Sequence, residues 1–122
     1  MRILIVEDDP KLGALLEQGL REEGFESDWV TDGENAVTRA LASEYDLLLL
    51  DYMLPKKNGR EVAAELRRAG KRLPILMLTA RDTAEDLQEA TRAGVSDLMG
   101  KPFRFGELVD RIRLLTSAPA TG

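Results

Sequence analysis

The sequence predicts an α/β fold in which a five-stranded parallel sheet, with strand order 2-1-3-4-5, is flanked by five helices. Two observations predict this fold class. Short apolar runs alternate with segments whose apolar residues recur at helical spacing, which is typical of a parallel sheet. Three of the runs are wholly apolar and belong at the centre, whereas the second is more polar and the fifth is short, as edge strands often are.

The first half of the chain contains two strand–helix units. Ile3–Val6 is the first strand, and Asp9 followed by Pro10 predicts the N-cap and first turn of a helix that stops at Gly24. This helix carries apolar residues at helical spacing: Leu12, Leu15, Leu16 and Leu20. The second strand is predicted over residues 27–31. A turn at Asp32-Gly33 then opens a helix that carries Ala36, Val37, Ala40 and Leu41.

The second half continues the alternation. The third strand, Leu47–Asp51, is followed by a loop, a helix over about 59–69 and a fourth strand led by Pro74. Asp82 and Glu85 have the spacing of a capping box for the next helix, which runs to Gly94. A short fifth strand at residues 98–99 precedes a last helix with one apolar face, formed by Leu108, Val109, Ile112 and Leu115. Residues 1–116 are predicted to form one domain, and residues 117–122 to be the start of a linker or a terminal tail.

Composition excludes several classes of function. The 122 residues contain no cysteine and no histidine, so thiolate zinc sites, disulfides and Ser-His or Cys-His nucleophile pairs are excluded. The chain also cannot supply a phosphohistidine of its own. Cysteine-free composition, no apolar run of bilayer length and no signal-peptide pattern at Met1 together suggest a cytoplasmic protein without a membrane partner. With a net charge of −5, the short basic groups are interpreted as solvated helix faces rather than a nucleic-acid surface.

Acidic residues follow two of the apolar strands. Asp51 comes directly after four leucines, and Glu7 and Asp8 follow the first strand. In the order 2-1-3-4-5 the topological switch point lies between strands one and three, beside these three carboxylates. Thr79 ends the fourth strand and Lys101 follows the fifth, at the same edge of the sheet.

This set of residues suits phosphoryl chemistry. Clustered carboxylates repel one another, and a hard cation such as Mg²⁺ relieves the repulsion while attracting phosphate oxygens. Asp51 can then attack phosphorus as a nucleophile, with Thr79 and Lys101 binding phosphate oxygens. Each residue also has a plainer interpretation: Asp8 or Asp9 as a helix cap, Thr79 as a strand-end hydroxyl and Lys101 as surface charge. An acid directly after four leucines is not explained in that way.

Four segments in this order resemble the receiver domain of two-component response regulators, with the OmpR/PhoB-like subfamily most similar. They are Val6–Asp9, Leu50–Pro55, Leu78–Arg81 and Lys101–Phe103. The resemblance covers about residues 1–116 and implies the flavodoxin-like, or CheY-like, fold. It also implies that Asp51 accepts a phosphoryl group from a sensor histidine kinase.

The resemblance assigns further roles. Asp8 resembles the direct Mg²⁺ ligand, Glu7 the ligand that acts through water, and the carbonyl of Met53 the main-chain ligand. Thr79 is similar to the switch hydroxyl, and Lys101 to the phosphate-binding lysine. Ala80 matches the small residue that leaves room for phosphate, and the Lys101–Pro102 peptide matches one that is usually cis.

Three positions depart from the family pattern. Leu98 stands where an aromatic switch residue is usual, and Arg104 replaces the usual cap of the last helix. Leu87 stands where a lysine often pairs with an acid matched by Glu107 in the partner subunit. The members of another such pair, Asp97 and Arg111, are retained. The resemblance implies a homodimer on phosphorylation, formed through the fourth helix, fifth strand and fifth helix.

Four functions are left open at this stage. A DNA-binding domain usually follows such a receiver, so DNA would be contacted only through a domain that lies outside this sequence. A stand-alone receiver is the alternative, as is a docking module that works without phosphorylation. A metal-dependent phosphohydrolase would need an acid two residues after the nucleophile, where Met53 stands instead.

Overall fold

The computed structural model describes residues 1–81 and 83–117, in which strands and helices alternate along the chain. The strands are β1 (Arg2–Val6), β2 (Glu26–Val30), β3 (Leu47–Asp51), β4 (Ile75–Thr79) and β5 (Asp97–Gly100). The helices are α1 (Pro10–Glu22), α2 (Gly33–Ala42), α3 (Gly59–Arg68), α4 (Ala84–Ala93) and α5 (Phe105–Thr116). None of the helices in these ranges is long and apolar enough to cross a bilayer.

The sheet confirms the predicted topology. All neighbouring strands are parallel, and their order is β2-β1-β3-β4-β5. In the central pair Val6 lies opposite Leu50. The residues that follow them, Glu7 and Asp51, therefore emerge side by side at the carboxyl edge of the sheet, where ligands bind in open α/β folds.

The sheet is covered on both faces. Helices α2, α3 and α4 pack on one face, around a cluster that includes Leu48, Leu50, Val62 and Ala90. Helices α1 and α5 pack on the other, around Leu16, Leu20, Leu108 and Ile112. Strands β3 and β4 are buried along their whole length. Their apolar sequences are explained by this double cover.

Helix ends follow local sequence chemistry, with one difference from the prediction. Asp9 caps α1 by accepting from the backbone of Lys11, as expected. The predicted capping box began at Asp82, which lies outside the described residues; the cap that the structure describes for α4 is Thr83, one residue later, which bonds reciprocally with Asp86. Both spacings satisfy the sequence rule, and only one matches the helix start.

Other differences are small. Strand β2 runs over Glu26–Val30, one residue earlier than predicted, and α3 ends at Arg68. Leu15 is 66% exposed although it lies in the predicted leucine row, because Leu16 and Leu20 form the face that meets the sheet. Leu41 is likewise exposed at the end of α2. Residues 118–122 of the predicted tail lie outside the described residues.

Candidate functional site

Three carboxylates meet at the switch point between β1 and β3. One oxygen from each of Glu7, Asp8 and Asp51 lies within 4.8 Å of the others. Glu7 and Asp51 are buried, and Asp8 is exposed. The cluster thus has a closed side toward the core and an open side toward solvent. The three acids singled out from the sequence are brought together.

Lys101 supplies the positive charge of the cluster. Its Nζ lies 2.8 Å from Oδ1 of Asp51 and 3.3 Å from Oε1 of Glu7. The backbone places it there, because the N–H of Lys101 donates to the carbonyl of Thr79 at 2.8 Å. The Lys101–Pro102 peptide is cis, as the resemblance implied.

The electrostatics of the cluster are set by burial and by charge. Burial raises the pKa of Asp51, and the negative charge of Asp8 adds to the rise while Lys101 opposes it. Burial likewise raises the pKa of Glu7, against a hydrogen bond from the backbone of Asp9. For Lys101, burial alone would lower the pKa. The hydrogen bonds that Lys101 donates to Asp51 and Glu7, and the negative charges of these two residues, outweigh burial and raise the pKa.

The donor set fits a hard divalent cation. All its ligand atoms are carboxylate oxygens, and the open side at Asp8 leaves room for water and phosphate oxygens, the other ligands that Mg²⁺ prefers. A cation would also offset the desolvation that raises the pKa of Asp51 and Glu7. Met53 borders the same opening, in a shallow depression lined by Asp8, Tyr52 and Asn58.

Thr79 ends β4 at the same edge and is buried. Its Oγ1 accepts from the backbone N–H of Arg81 at 3.1 Å, so the hydroxyl hydrogen remains available to another acceptor. Ala80 is exposed beside it. The predicted site residues therefore share one edge of the sheet, while their chemical roles remain predictions.

Leu98 connects the site with a second region. It lines a cavity of about 70 Å³ together with Thr79, Tyr52 and Ala90. It also lines an open depression formed by residues of α4, β5 and α5, including Leu87 and Glu107. An aliphatic side chain thus separates Thr79 from that surface. Nearby, Arg111 pairs with Asp97 at 2.7 Å within the same chain.

One contact with the site, made by Trp29, was not predicted from the sequence. The indole Nε1 of Trp29 donates to the main-chain carbonyl of Glu7 at 2.8 Å. Trp29 lies on the edge strand β2, opposite Ile5 in the register. The residues around Trp29 in the sequence do not indicate that it bonds to Glu7, because this contact depends on the pairing of β1 with β2.

The comparisons with known proteins define the class. The profile of the response regulator receiver domain matches residues 3–113 of this chain. The chain therefore belongs to the response regulator receiver domain family. Among its relatives is the transcriptional activator protein IrlR of Burkholderia pseudomallei, which is 50% identical over 113 residues, 93% of this chain and 49% of IrlR. The relatives are regulators of the OmpR/PhoB family, and the chain spans about half their length.

Solved structures agree with this assignment. A Francisella response regulator receiver domain superposes with a TM-score of 0.92 at 28% identity, covering 95% of this chain and 96% of that one. The receiver domain of the sensor histidine kinase PA1611 from Pseudomonas aeruginosa has a TM-score of 0.87 at 34% identity and covers 96% and 98%. That structure is described as having a magnesium ion coordinated in its active site cleft.

Proposed function

We propose that this domain is a phosphorylation-controlled switch that accepts a phosphoryl group on Asp51 in a Mg²⁺-dependent reaction. The observation that carries the proposal is the placement of Asp51. Asp51 is only 5% exposed, and its carboxylate shares a cluster with Glu7 and Asp8 and contacts the Nζ of Lys101 at 2.8 Å. Burying two acids, Glu7 and Asp51, beside the exposed Asp8 and a partly buried lysine is costly unless the site has a use.

The cation would be held by Asp8 and Asp51 directly, by Glu7 through water and by the carbonyl of Met53. When bound, Mg²⁺ neutralises the charge that otherwise repels a phosphoryl group. The similarity to the magnesium-containing PA1611 receiver domain supports this assignment.

Phosphoryl transfer then needs little from the protein except positioning. A carboxylate oxygen of Asp51 attacks phosphorus and forms a new P–O bond. The bond from phosphorus to the donor nitrogen of a sensor kinase histidine breaks, and that nitrogen keeps the electron pair. Lys101 and the hydroxyl of Thr79 would contact phosphate oxygens, which would stabilise the charge on the transferring group.

The position of Leu98 indicates which surface of the domain would change on phosphorylation. Movement of Thr79 toward a phosphate would change the packing of the cavity that it shares with Leu98, and Leu98 also lines the depression on α4, β5 and α5. We assign this surface to phosphorylation-dependent homodimerisation. Leu87 makes it more apolar than a lysine would, so the dimer depends less on ion pairs. In the whole protein the dimer would control an attached DNA-binding domain in the cytoplasm, as the similarity to transcriptional regulators suggests.

The test uses acetyl phosphate and Mg²⁺ as a small-molecule donor system. The wild-type protein should gain the mass of one phosphoryl group, and Asp51→Asn should gain none. Asp110→Asn is a matched control, because Asp110 is an exposed acid on α5. Incorporation that persists in Asp51→Asn would refute the assignment of the acceptor.

The output is tested by size-exclusion chromatography with and without beryllofluoride and Mg²⁺. We expect a shift from monomer to dimer that Leu87→Glu reduces. A protein that binds neither probe would instead support a docking module that works without phosphorylation.

A further inference from the structure

The contact between Trp29 and the acidic loop, residues 7–9, holds a main-chain group at the edge of the cluster. The carbonyl of Glu7 lies beyond the end of β1, and the indole N–H of Trp29 donates to it at 2.8 Å. The N–H of Glu7 donates in turn to the carbonyl of Val30, the residue after Trp29, at 3.1 Å. Both main-chain polar groups of Glu7 are therefore bound to β2.

The side chain of Glu7 is held as well. One carboxylate oxygen accepts from the N–H of Asp9 at 3.0 Å, and the other lies 3.3 Å from the Nζ of Lys101. The Glu7 carbonyl belongs to the same planar peptide unit as the N–H of Asp8. Fixing that carbonyl therefore fixes the direction in which the chain enters Asp8, whose own side chain is exposed.

The opposite side of the indole is fixed by α1. A Cβ atom added to Gly13 would lie 2.1 Å from Cζ2 of Trp29, so the ring packs directly on the helix backbone. Gly13 is in the first turns of α1, and its N–H donates to the carbonyl of Asp9 at 2.9 Å. The indole thus lies between Glu7, at the start of the short loop that carries the acids, and the first turn of α1, which follows that loop.

We propose that Trp29 is a positioning residue for the divalent cation site. It acts through the Glu7 carbonyl and the start of α1, holding Asp8 where its carboxylate faces those of Glu7 and Asp51. The inference rests on the proposed function, because it concerns the same cation. Outer groups that orient metal ligands commonly affect metal affinity without touching the metal.

The test is a calorimetric Mg²⁺ titration of the whole domain. Trp29→Phe keeps an aromatic ring and removes the donor, and it should weaken Mg²⁺ affinity about fivefold, the factor that one neutral hydrogen bond commonly contributes. Incorporation of benzothienylalanine at position 29 replaces the indole N–H with sulfur at nearly constant shape. It should give the same loss with little change in the unfolding midpoint.

Two glycines of α1 provide a matched pair. Gly13→Ala would displace the indole of Trp29, whereas Gly19→Ala would displace the ring of Phe105, whose Cζ lies 2.4 Å from the added Cβ position. Both changes remove a glycine from the same helix and crowd an aromatic ring. We expect Gly13→Ala to weaken Mg²⁺ binding and Gly19→Ala to leave it within about twofold of wild type.

The outcomes separate the two proposals. A wild-type protein that binds no Mg²⁺ would refute the metal step of the proposed function. Normal binding by wild type, with equal affinity in Trp29→Phe and the sulfur analogue, would overturn the positioning role alone. Equal losses in the two glycine variants would also overturn it, because general loosening of α1 would then be the cause. If Trp29→Phe fails to fold, the analogue and the glycine pair decide the question.

Discussion

The ammonium nitrogen of Lys101 lies 2.8 Å from Oδ1 of Asp51, although the two residues are fifty positions apart in the chain (101 − 51). The same nitrogen is 3.3 Å from Oε1 of Glu7. The ammonium group of Lys101 is therefore shared by two buried carboxylates, and the charge of a third carboxylate, that of Asp8, lies nearby. In the metal-free protein, Lys101 is the group that offsets their repulsion.

Lys101→Met should lower the free energy of unfolding by about 1–2 kcal/mol at neutral pH without Mg²⁺, because it leaves buried carboxylates uncompensated. Mg²⁺ should restore part of the loss. Urea denaturation with and without MgCl₂ measures both effects. Lys71→Met is the control, since Lys71 pairs with the exposed Glu44 on the surface and should cost less than about 0.5 kcal/mol. Equal losses in the two variants would contradict this role of Lys101.

Asp51→Asn should stabilise the metal-free protein by roughly 1 kcal/mol at pH 7, because burial and Asp8 raise the pKa of Asp51 above its ordinary value of 3.8. A raised pKa means that the folded state binds the proton more tightly than the unfolded state. Wild-type stability therefore falls as pH rises from about 4 through the raised pKa, whereas asparagine does not titrate. Unfolding curves between pH 3 and 8 should show that the difference in stability between Asp51→Asn and wild type grows as the pH rises through this raised pKa.

Asp28→Asn should change the free energy of unfolding in the opposite direction. The hydrogen bond from Tyr45, together with the hydrogen bond from Arg2 and the positive charges of Arg2 and Arg39, lowers the pKa of Asp28 below its ordinary value despite some burial. Its carboxylate stabilises the fold above the unfolded pKa, and this contribution is lost as pH falls. The variant should therefore be less stable than wild type at neutral pH. Parallel pH profiles for Asp51→Asn and Asp28→Asn would contradict the electrostatic account.

Thr79→Ala should slow phosphate incorporation from acetyl phosphate about tenfold, the effect of losing one hydrogen bond to a charged group. Thr79→Ser, which keeps the hydroxyl, should stay within about twofold of wild type. Thr91→Ala removes an exposed hydroxyl that donates to the carbonyl of Leu87 and should not change the rate. Rates are measured by intact mass over time. Loss of activity in the serine variant would show that the hydroxyl is not the relevant group.

Leu98→Phe should cost less than about 1.5 kcal/mol in unfolding free energy, since the adjoining cavity of about 70 Å³ can take part of the ring. Leu76→Phe should cost more, about 1–3 kcal/mol, because Leu76 is fully buried in the interior strand β4. Chemical denaturation compares them. A larger cost at position 98 would mean that the cavity does not adapt.

Much of the fold was predictable because it depends on local pattern. Four leucines before Asp51 indicated a central strand, and the polar β2 indicated an edge; the sheet order is confirmed. The gathering of Glu7, Asp8 and Asp51 followed from that order. Helix starts were less certain, because Asp82–Glu85 and Thr83–Asp86 both satisfy the capping rule and only the packed helix selects one.

Contacts between distant elements were not predictable from local pattern. Nothing near Trp29 indicates that its indole reaches the carbonyl of Glu7. The sharing of Lys101 between two carboxylates likewise requires the positions of three strand ends at once. The roles of Asp51, Thr79 and Lys101 in phosphoryl transfer remain predictions for the experiments above.

Arg104 gives a prediction about stability alone. It occupies the N-cap of α5 without a side-chain hydrogen bond to the helix, as its type suggested. Arg104→Ser should raise the free energy of unfolding by about 0.5–1 kcal/mol by supplying the missing acceptor. Arg104→Ala removes the arginine without adding a cap and should have little effect. Similar gains in both variants would assign the benefit to loss of charge instead.

The indole that contacts Glu7 is also the only tryptophan in the 122 residues. Its fluorescence therefore arises from a single place, at the junction of β2, the acidic loop and the first turns of α1. An emission change on adding a cation or a phosphoryl donor would report on that junction without any label. The native chain thus carries its own optical probe of the acidic loop.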